Sequence, residues 1–293
     1  MEKIPVDGLT LFFPAEERSA AELVRQACEK SISLIRTSWG LETPEDVRVY
    51  VLTASWLRAT FHSAPWRWRP VMFLSLPVWY PRSRRLWRVA GGWQQSYGRR
   101  CAVCVKTPRL LAQEDSSTGD RVFIRDADIA AKVQQITCHE LTHAFTAHLK
   151  LPTWLNEGLA MVTAEHFAGK PMVRRDSLVL LEPPMAIKGS MSRQAAKSGG
   201  QEAVVALYAR GYWRTRFLEE TRPGLLRDLF AQHVQPAHWE NAIANACNTS
   251  TDAFWSMADT MVVDYFLEQA GAAQTAAAVA GEGYNAKGHF VEF

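Results

Sequence analysis

The stretch HELTHAFTAHLKLPTWLNEG, residues 139–158, contains two histidines and a glutamate whose spacing is the strongest indication of the fold. His139 and His143 are four residues apart, so on a helix both imidazoles lie on one face and can reach one metal ion. Two imidazoles and the carboxylate of Glu157 leave a fourth tetrahedral position for water, which is typical of a catalytic zinc site. Glu140 follows the first ligand and can accept a proton from water bound there. The stretch therefore predicts a hydrolase that binds one zinc ion per chain.

The residues around these histidines favour a helix. The segment 126–150 contains no Gly or Pro, and its apolar residues recur at a largely helical spacing. Leu151-Pro152 ends this helix, and Thr153 can cap a second helix that folds back and carries Glu157. We therefore expect the zinc-binding helices at 126–170.

The phrase Trp-Leu-Asn-Glu-Gly-Leu-Ala, residues 154–160, resembles the third-ligand helix of the gluzincin metallopeptidases, in particular their peptidase-MA-like and aminopeptidase-N-like branches. Tyr-Ala-Arg-Gly, residues 208–211, is similar to their Tyr-x-x-Gly segment, in which the tyrosine stabilises the oxyanion. The resemblance covers roughly residues 130–225. It implies that His139, His143 and Glu157 bind zinc, that Glu140 is the general base and that Tyr208 donates to the oxyanion.

Two features near the site stay open. Tyr212 lies one helical turn after Tyr208 and is the alternative oxyanion donor. Met161 stands where thermolysin-like enzymes carry an Asp that orients a ligand histidine, so another group, such as Asn156 or a backbone carbonyl, has to do so here. The Gly-x-Met-Glu-Asn motif that recognises a substrate amino terminus is absent, so endopeptidase and exopeptidase activity are both open.

The patterns and the resemblance predict an α+β fold of the gluzincin or thermolysin-like type, with an N-terminal mixed-sheet lobe and a C-terminal, mainly helical lobe. The expected boundaries are an N-terminal lobe at 1–125, zinc-binding helices at 126–170, a loop at 171–200, a helical lobe at 201–270 and a loosely ordered tail at 271–293. Strands are predicted at 9–13, 47–53, 101–106 and 121–125, and helices at 15–39, 201–220, 223–233, 236–247 and 251–270. In gluzincins the edge strand lies beside the zinc and pairs with extended substrate. We expect 101–106 to be that strand.

The segment 47–113 is unusually basic. It contains no Asp or Glu, and it contains six of the eleven tryptophans. Its twelve cations are Arg48, Arg58, Arg67, Arg69, Arg82, Arg84, Arg85, Arg88, Arg99, Arg100, Lys106 and Arg109. The interpretation that we favour is a domain core of Trp with surface Arg balanced by acids from elsewhere. The alternatives are an acidic partner or an anionic membrane surface bound through Arg82, Arg84, Arg85 and Arg88. No motif for nucleic-acid binding accompanies the segment, which argues against nucleic acid as a partner.

Composition fits an enzyme. The chain has 293 residues, of which 47% are hydrophobic, and a net charge of +3, so it can bury a substantial core. No apolar leader follows Met1, and no apolar run approaches the roughly 20 residues of a membrane span. Five cysteines, an odd number, predict reduced thiols and a cytoplasmic protein. The lone pair Cys101-x-x-Cys104 cannot complete a four-cysteine zinc site by itself.

Together these observations predict a cytoplasmic zinc metallopeptidase that hydrolyses a peptide or protein substrate. Two alternatives use the same fold. One is a zinc hydrolase of a non-peptide bond, because the chemistry of the metal and water is the same. The other is a catalytically weak module that binds peptides, although such a module has no chemical need for Glu140.

Overall fold

The computed structural model describes residues 1–53, 56–113, 121–124, 126–181 and 200–285, in places by their backbone alone. Its sheet consists of β1 (Glu2–Val6), β2 (Leu9–Phe13), β3 (Asp46–Leu52), β4 (Gly92–Tyr97) and β5 (Arg100–Lys106). The spatial order is β1-β2-β3-β5-β4. Strands β2, β3 and β5 run parallel, whereas β1 and β4 are antiparallel to their neighbours. The described chain is therefore built around a mixed sheet.

The two faces of the sheet are covered by different helices. One face packs on α1 (Arg18–Trp39) and α6 (Ile129–Thr146). The other is covered by α2 (Trp56–Ser63), α3 (Arg69–Leu74) and α4 (Leu76–Val89), and a short helix, α5 (Pro108–Leu111), follows β5. Because successive strand residues point to opposite faces, Val49 belongs to the first core and Tyr50 to the second. Helix α6, which contains the two histidines, thus lies on one face, and the basic tryptophan-rich segment covers the other.

The edge strand beside α6 is not the one that we predicted. Strand β5 lies inside the sheet between β3 and β4, and the edge is β4. Gly98 has a φ of +66° and turns the chain in a tight hairpin, so that Tyr97 pairs with Arg100. The sequence of β4, Gly-Trp-Gln-Gln-Ser-Tyr, contains no β-branched residue, which is why strand propensity did not reveal it.

The rest of the described chain is helical. It comprises α7 (Thr153–Ala168), a 3-10 helix at Arg175–Leu181, α8 (Gly200–Thr221), α9 (Leu225–Ala231), α10 (Trp239–Ala246) and α11 (Thr251–Asn285). Helix α7 packs between α6 and α8. Trp239 is fully buried and donates its indole N–H to the carbonyl of Leu149 at 3.1 Å, which connects α10 to the segment that follows α6.

Three local expectations need correction. Residues 121–125 form no strand where they are described, only an isolated bridge between Phe123 and Val173. Thr153 is the first residue of α7 rather than its cap, since Pro152 takes the capping position. Helix α11 continues to Asn285, beyond the end at 270 that we predicted, because the alanine-rich sequence there favours helix. Residues 182–199 and 286–293 lie outside the described part of the chain.

The described residues thus form a mixed α+β architecture. None of their helices combines the length and the apolar character that crossing a membrane requires.

Candidate metal centre

Helix α6 presents the two histidines from a well-anchored position. The carboxylate of Asp128 caps it by accepting hydrogen bonds from the backbone N–H groups of Ala130 at 2.8 Å and Ala131 at 3.2 Å. Such a cap satisfies N–H groups that the first turn of a helix leaves unpaired. Further along, α6 packs on α1, β4, β5 and α7. The rotation of α6 about its axis is therefore fixed, and with it the directions of the imidazoles of His139 and His143.

The structure brings the three predicted ligands together. The Nε2 atoms of His139 and His143 are 3.1 Å apart. Oε2 of Glu157, in the second turn of α7, lies 3.6 Å from Nε2 of His139 and 3.4 Å from Nε2 of His143. Among the described residues, these three form the group of His, Cys, Asp and Glu side chains that can hold a metal ion.

The triangle of ligand atoms has the dimensions that a zinc ion requires. Zinc binds imidazole nitrogen and carboxylate oxygen at about 2.0–2.1 Å, so neighbouring atoms of a regular tetrahedron are about 3.3–3.4 Å apart. The three separations, 3.1, 3.4 and 3.6 Å, span this value. One carboxylate and two imidazoles are also the donor set of catalytic zinc sites. The residues present therefore fit one zinc ion.

The ionisation of His143 and that of Glu157 depend on each other. Burial alone lowers the pKa of His143, but the neighbouring Glu157 carboxylate more than offsets this and raises that pKa to about 9. For Glu157, burial opposes ionisation, yet the two histidines hold the pKa of its carboxyl far below the usual range. An ionised Glu157 carboxylate and a protonated His143 thus lie at the place that a divalent cation can take.

Glu140 lies between the histidines and the edge of the sheet. Burial raises the pKa of its carboxyl, an effect that the charges of His139 and His143 partly oppose. The backbone N–H of Gln94 in β4 also stabilises the ionised form. A Cβ atom on Gly92 would lie 3.0 Å from Cγ of Glu140 and 2.8 Å from the carbonyl oxygen of Cys104, so only glycine lets β4 approach this closely.

The role of β4 beside Glu140 was missed from the sequence. The signal that points to it is the pair Gly91-Gly92. A Cβ atom on Gly91, which directly precedes β4, would lie 2.4 Å from Cδ1 of Ile136 in α6, and glycine in or beside a strand often marks a close backbone approach.

Tyr208 lies near the ligands through the packing of α8 on α7. The Glu157 carboxylate, burial and the Glu140 carboxylate, in this order, raise the pKa of its hydroxyl well above the usual value. The ring of Tyr208 packs edge to face on Phe123, with centroids 5.9 Å apart. Phe123 was not predicted to be near the site. The hydroxyl of Tyr208 therefore stays protonated and within electrostatic range of both carboxylates.

Tyr212, the alternative donor, is engaged elsewhere. Its hydroxyl donates to the carboxylate of Glu165, 2.9 Å from each oxygen. Glu165 also accepts a hydrogen bond from the backbone N–H of Met172 at 2.9 Å and lies 3.5 Å from the Arg216 guanidinium. This buried network is two helical turns along α7 from Glu157, which separates Tyr212 from the ligand triangle.

Asn156 lies beside His143, where a group that orients this ligand is expected. The Asn156 side chain contributes to the raised pKa of His143, after burial and the carboxylates of Glu157 and Glu140, and its Oδ1 accepts a hydrogen bond from the Thr146 hydroxyl at 2.9 Å. Nδ1 of His143 is buried without a hydrogen bond of ordinary geometry, and Asn156 is a polar side chain that interacts with this histidine.

The other histidines with described side chains, and the cysteine pair, lie away from the triangle. His148, His233 and His238 are exposed, and His166 pairs with Glu219 at 3.2 Å. Cys101 and Cys104 are buried free thiols that belong to the cores on opposite faces of the sheet. They therefore cannot bind the same ion.

No family model, curated protein or solved structure matches this chain. The gluzincin resemblance therefore rests on the quoted motifs.

Proposed function

We propose that this chain is a zinc-dependent metallopeptidase of the gluzincin type. The observation that carries the proposal is the ligand triangle of His139, His143 and Glu157 with the carboxyl of Glu140 and the hydroxyl of Tyr208 beside it. These are the groups that hydrolysis of an amide needs: a metal, a base and an oxyanion donor.

The roles follow from the chemistry of each group. A zinc ion in the triangle would supply Lewis acidity, which favours ionisation of water and polarises a carbonyl. Glu140 accepts the proton of the attacking water and passes it to the leaving amine. Burial favours this role because it raises the pKa of Glu140 toward neutrality. Tyr208 donates its O–H to the developing oxyanion, and its raised pKa keeps that proton in place.

The position of β4 supports a peptide as the substrate. Strand β4 pairs with β5 on one side and is the last strand of the described sheet. The carboxyl of Glu140 lies next to Gly92 and Gln94 of this strand. An extended peptide that adds to this edge by main-chain hydrogen bonds would bring one of its amide groups to the general base.

We place the enzyme in the cytoplasm as part of the same proposal. Its five cysteines are all unpaired, and four of them are buried. Free thiols in this number support a reducing compartment.

The test is digestion of a mixed-peptide library by the zinc-loaded protein, with products identified by mass spectrometry. Glu140→Gln keeps the shape of the side chain and removes the base, so cleavage should decrease by orders of magnitude while zinc content stays the same. Glu42→Gln is the matched control, because Glu42 is an exposed glutamate far along the chain from the site. Equal cleavage by Glu140→Gln, or loaded protein that cleaves esters but no peptide, would contradict the proposal.

A further inference from the structure

The outer surface of the helical layer on the second sheet face is unusually apolar. Met72 and Trp87 turn inward and pack against the sheet core that contains Tyr50, Leu52 and Tyr97. Several neighbouring side chains point the other way. The exposed fraction of these large hydrophobic residues is 76% for Trp66, 57% for Val71, 66% for Phe73, 80% for Leu74 and 80% for Val78.

These residues are concentrated rather than scattered. All five lie between 66 and 78. They belong to a second 3-10 helix (Trp66–Trp68), to α3 and to the start of α4, which pack on one another. Single exposed hydrophobic side chains are ordinary, but a concentration of them marks a surface that another body covers. We call Trp66, Val71, Phe73, Leu74 and Val78, with Arg67 and Arg84, the docking face.

The two arginines of the docking face differ from others in the basic segment by their lack of an acidic partner among the described side chains. Four other arginines of the basic segment pair with acids outside it: Arg48 and Arg100 with Asp46, Arg99 with Glu45 and Arg109 with Glu17. Arg67 and Arg84 are exposed and form no ion pair among the described side chains. The sequence pointed to Arg82, Arg84, Arg85 and Arg88. Of these, Arg84 has a described side chain, and the side chains of the other three lie outside the described part of the structure.

We propose that the docking face associates with an anionic membrane surface. Exposed aliphatic and phenyl groups enter the boundary between headgroups and acyl chains, Trp66 lies at headgroup depth, and Arg67 and Arg84 contact anionic headgroups. This inference is independent of the proposed peptidase activity, since it uses none of the groups in the metal centre.

The combination of apolar and basic groups favours a bilayer over an acidic protein. An acidic protein surface would complement Arg67 and Arg84 but would leave the five hydrophobic side chains against polar groups. A bilayer of anionic lipid offers both an apolar layer and negative charge in one surface. The segment 47–113 contains no Asp or Glu, so no carboxylate of that segment opposes approach to negative headgroups.

The test is co-sedimentation of the full chain with vesicles of phosphatidylserine and phosphatidylcholine, and with vesicles of phosphatidylcholine alone. We expect binding to the anionic vesicles that weakens as salt is raised. Phe73→Ser with Leu74→Ser should lower the partition coefficient roughly tenfold or more. Met257→Ser with Leu267→Ser is the matched control, because both side chains are 56% exposed on α11, and it should leave binding unchanged.

A second pair of variants tests the charges. Arg67→Glu with Arg84→Glu should lower anionic binding roughly tenfold or more. Its control is Lys3→Glu with Arg222→Glu, which reverses two exposed cations elsewhere. All these positions are exposed, and thermal unfolding verifies that each variant is folded. The depth to which Trp66 enters the bilayer is measured independently, by quenching of tryptophan fluorescence with brominated lipid. The quenching should decrease in Trp66→Phe.

Three results would overturn the inference. The first is an absence of binding to anionic vesicles at low salt. The second is equal binding by Phe73→Ser with Leu74→Ser, which would indicate adsorption by charge alone. The third is binding to polyglutamate but not to vesicles, which would assign the surface to an acidic protein.

Discussion

A Cβ atom on Gly158 would lie 2.0 Å from the carbonyl oxygen of Gly211, so α7 and α8 touch through their backbones at this point. The contact is mutual, because a Cβ atom on Gly211 would lie 2.6 Å from the carbonyl oxygen of Trp154. Glu157 precedes the first glycine, and Tyr208 is one turn before the second. The glycine contact therefore sets the distance between a proposed metal ligand and the proposed oxyanion donor.

Substituting Gly158 with Ala should push the two helices apart. The methyl group has no space against backbone atoms, so we expect a loss of stability of about 1–3 kcal/mol together with reduced peptide cleavage. Denaturant unfolding and a peptide assay measure the two effects. Gly271→Ala is the control: a Cβ atom there meets nothing within 4 Å, and in a helix Ala should be neutral or slightly stabilising. Unchanged stability in Gly158→Ala would contradict the close contact.

Tyr208→Phe should lower the rate of catalysis, whereas Tyr212→Phe should lower the stability of the fold. Loss of the Tyr208 hydroxyl removes a donor to the transition state, so kcat should decrease on the order of 100-fold while KM changes little. Loss of the Tyr212 hydroxyl leaves the buried carboxylate of Glu165 with one donor fewer. That change should reduce stability by about 1–3 kcal/mol with kcat nearly intact. Steady-state kinetics and urea unfolding separate the two, and a normal kcat in Tyr208→Phe would reassign the oxyanion donor.

Metal content should depend on the triangle alone. Purified protein should hold one zinc ion per chain, which His143→Ala abolishes and Glu157→Ala strongly weakens, because three protein ligands are needed for tight binding. His148→Ala is the control, since His148 is an exposed histidine near the end of α6. Elemental analysis by mass spectrometry gives the stoichiometry. If Glu157→Ala retained its full zinc content, Glu157 would be excluded as a ligand.

Zinc affinity should rise with pH. The Glu157 carboxylate, opposed by burial, raises the pKa of His143 to about 9 in the metal-free site, so below that pH zinc has to displace a proton. Affinity should therefore increase up to about pH 9, as measured by competition with a chelator. Affinity that is flat between about pH 7 and pH 9 would contradict this.

The stability of the metal-free protein should decrease as pH rises, whereas zinc affinity increases. The folded-state pKa of His143 lies above the ordinary value of 6.5, so its pairing stabilises the fold fully below about pH 6.5. That contribution is lost as pH rises through about 9. Thermal unfolding of chelator-treated protein should show this decrease, and His143→Ala should lack it.

The elements that could be predicted from the sequence are those with a strong local signal. Strand β3 is rich in valine, helix α1 has an apolar stripe that ends at Gly40, and the histidine spacing selects a helix. The same locality explains why the proximity of His139, His143 and Glu157 could be predicted from their spacing. One helix and the start of the next contain all three.

What the sequence did not reveal depends on contacts between distant segments. Strand β4 is polar and becomes an edge only because Gly98 turns the chain beside β5. Phe123 reaches Tyr208 through packing rather than through spacing. Tyr208 and Tyr212 lie one turn apart on α8, and what distinguishes them is that Glu165 of α7 accepts a hydrogen bond from Tyr212.

The proposed ligands come from one short piece of chain, residues 139–157, whereas the hydrophobic core around them reaches from Val6 in β1 to Phe266 in α11. An ion that joins such close neighbours closes a small loop, and closure of a small loop restricts the unfolded chain only modestly. Loaded and empty protein should therefore share one fold. If so, the supply of zinc in the cell, rather than protein synthesis or refolding, sets the fraction of molecules that are loaded at any moment.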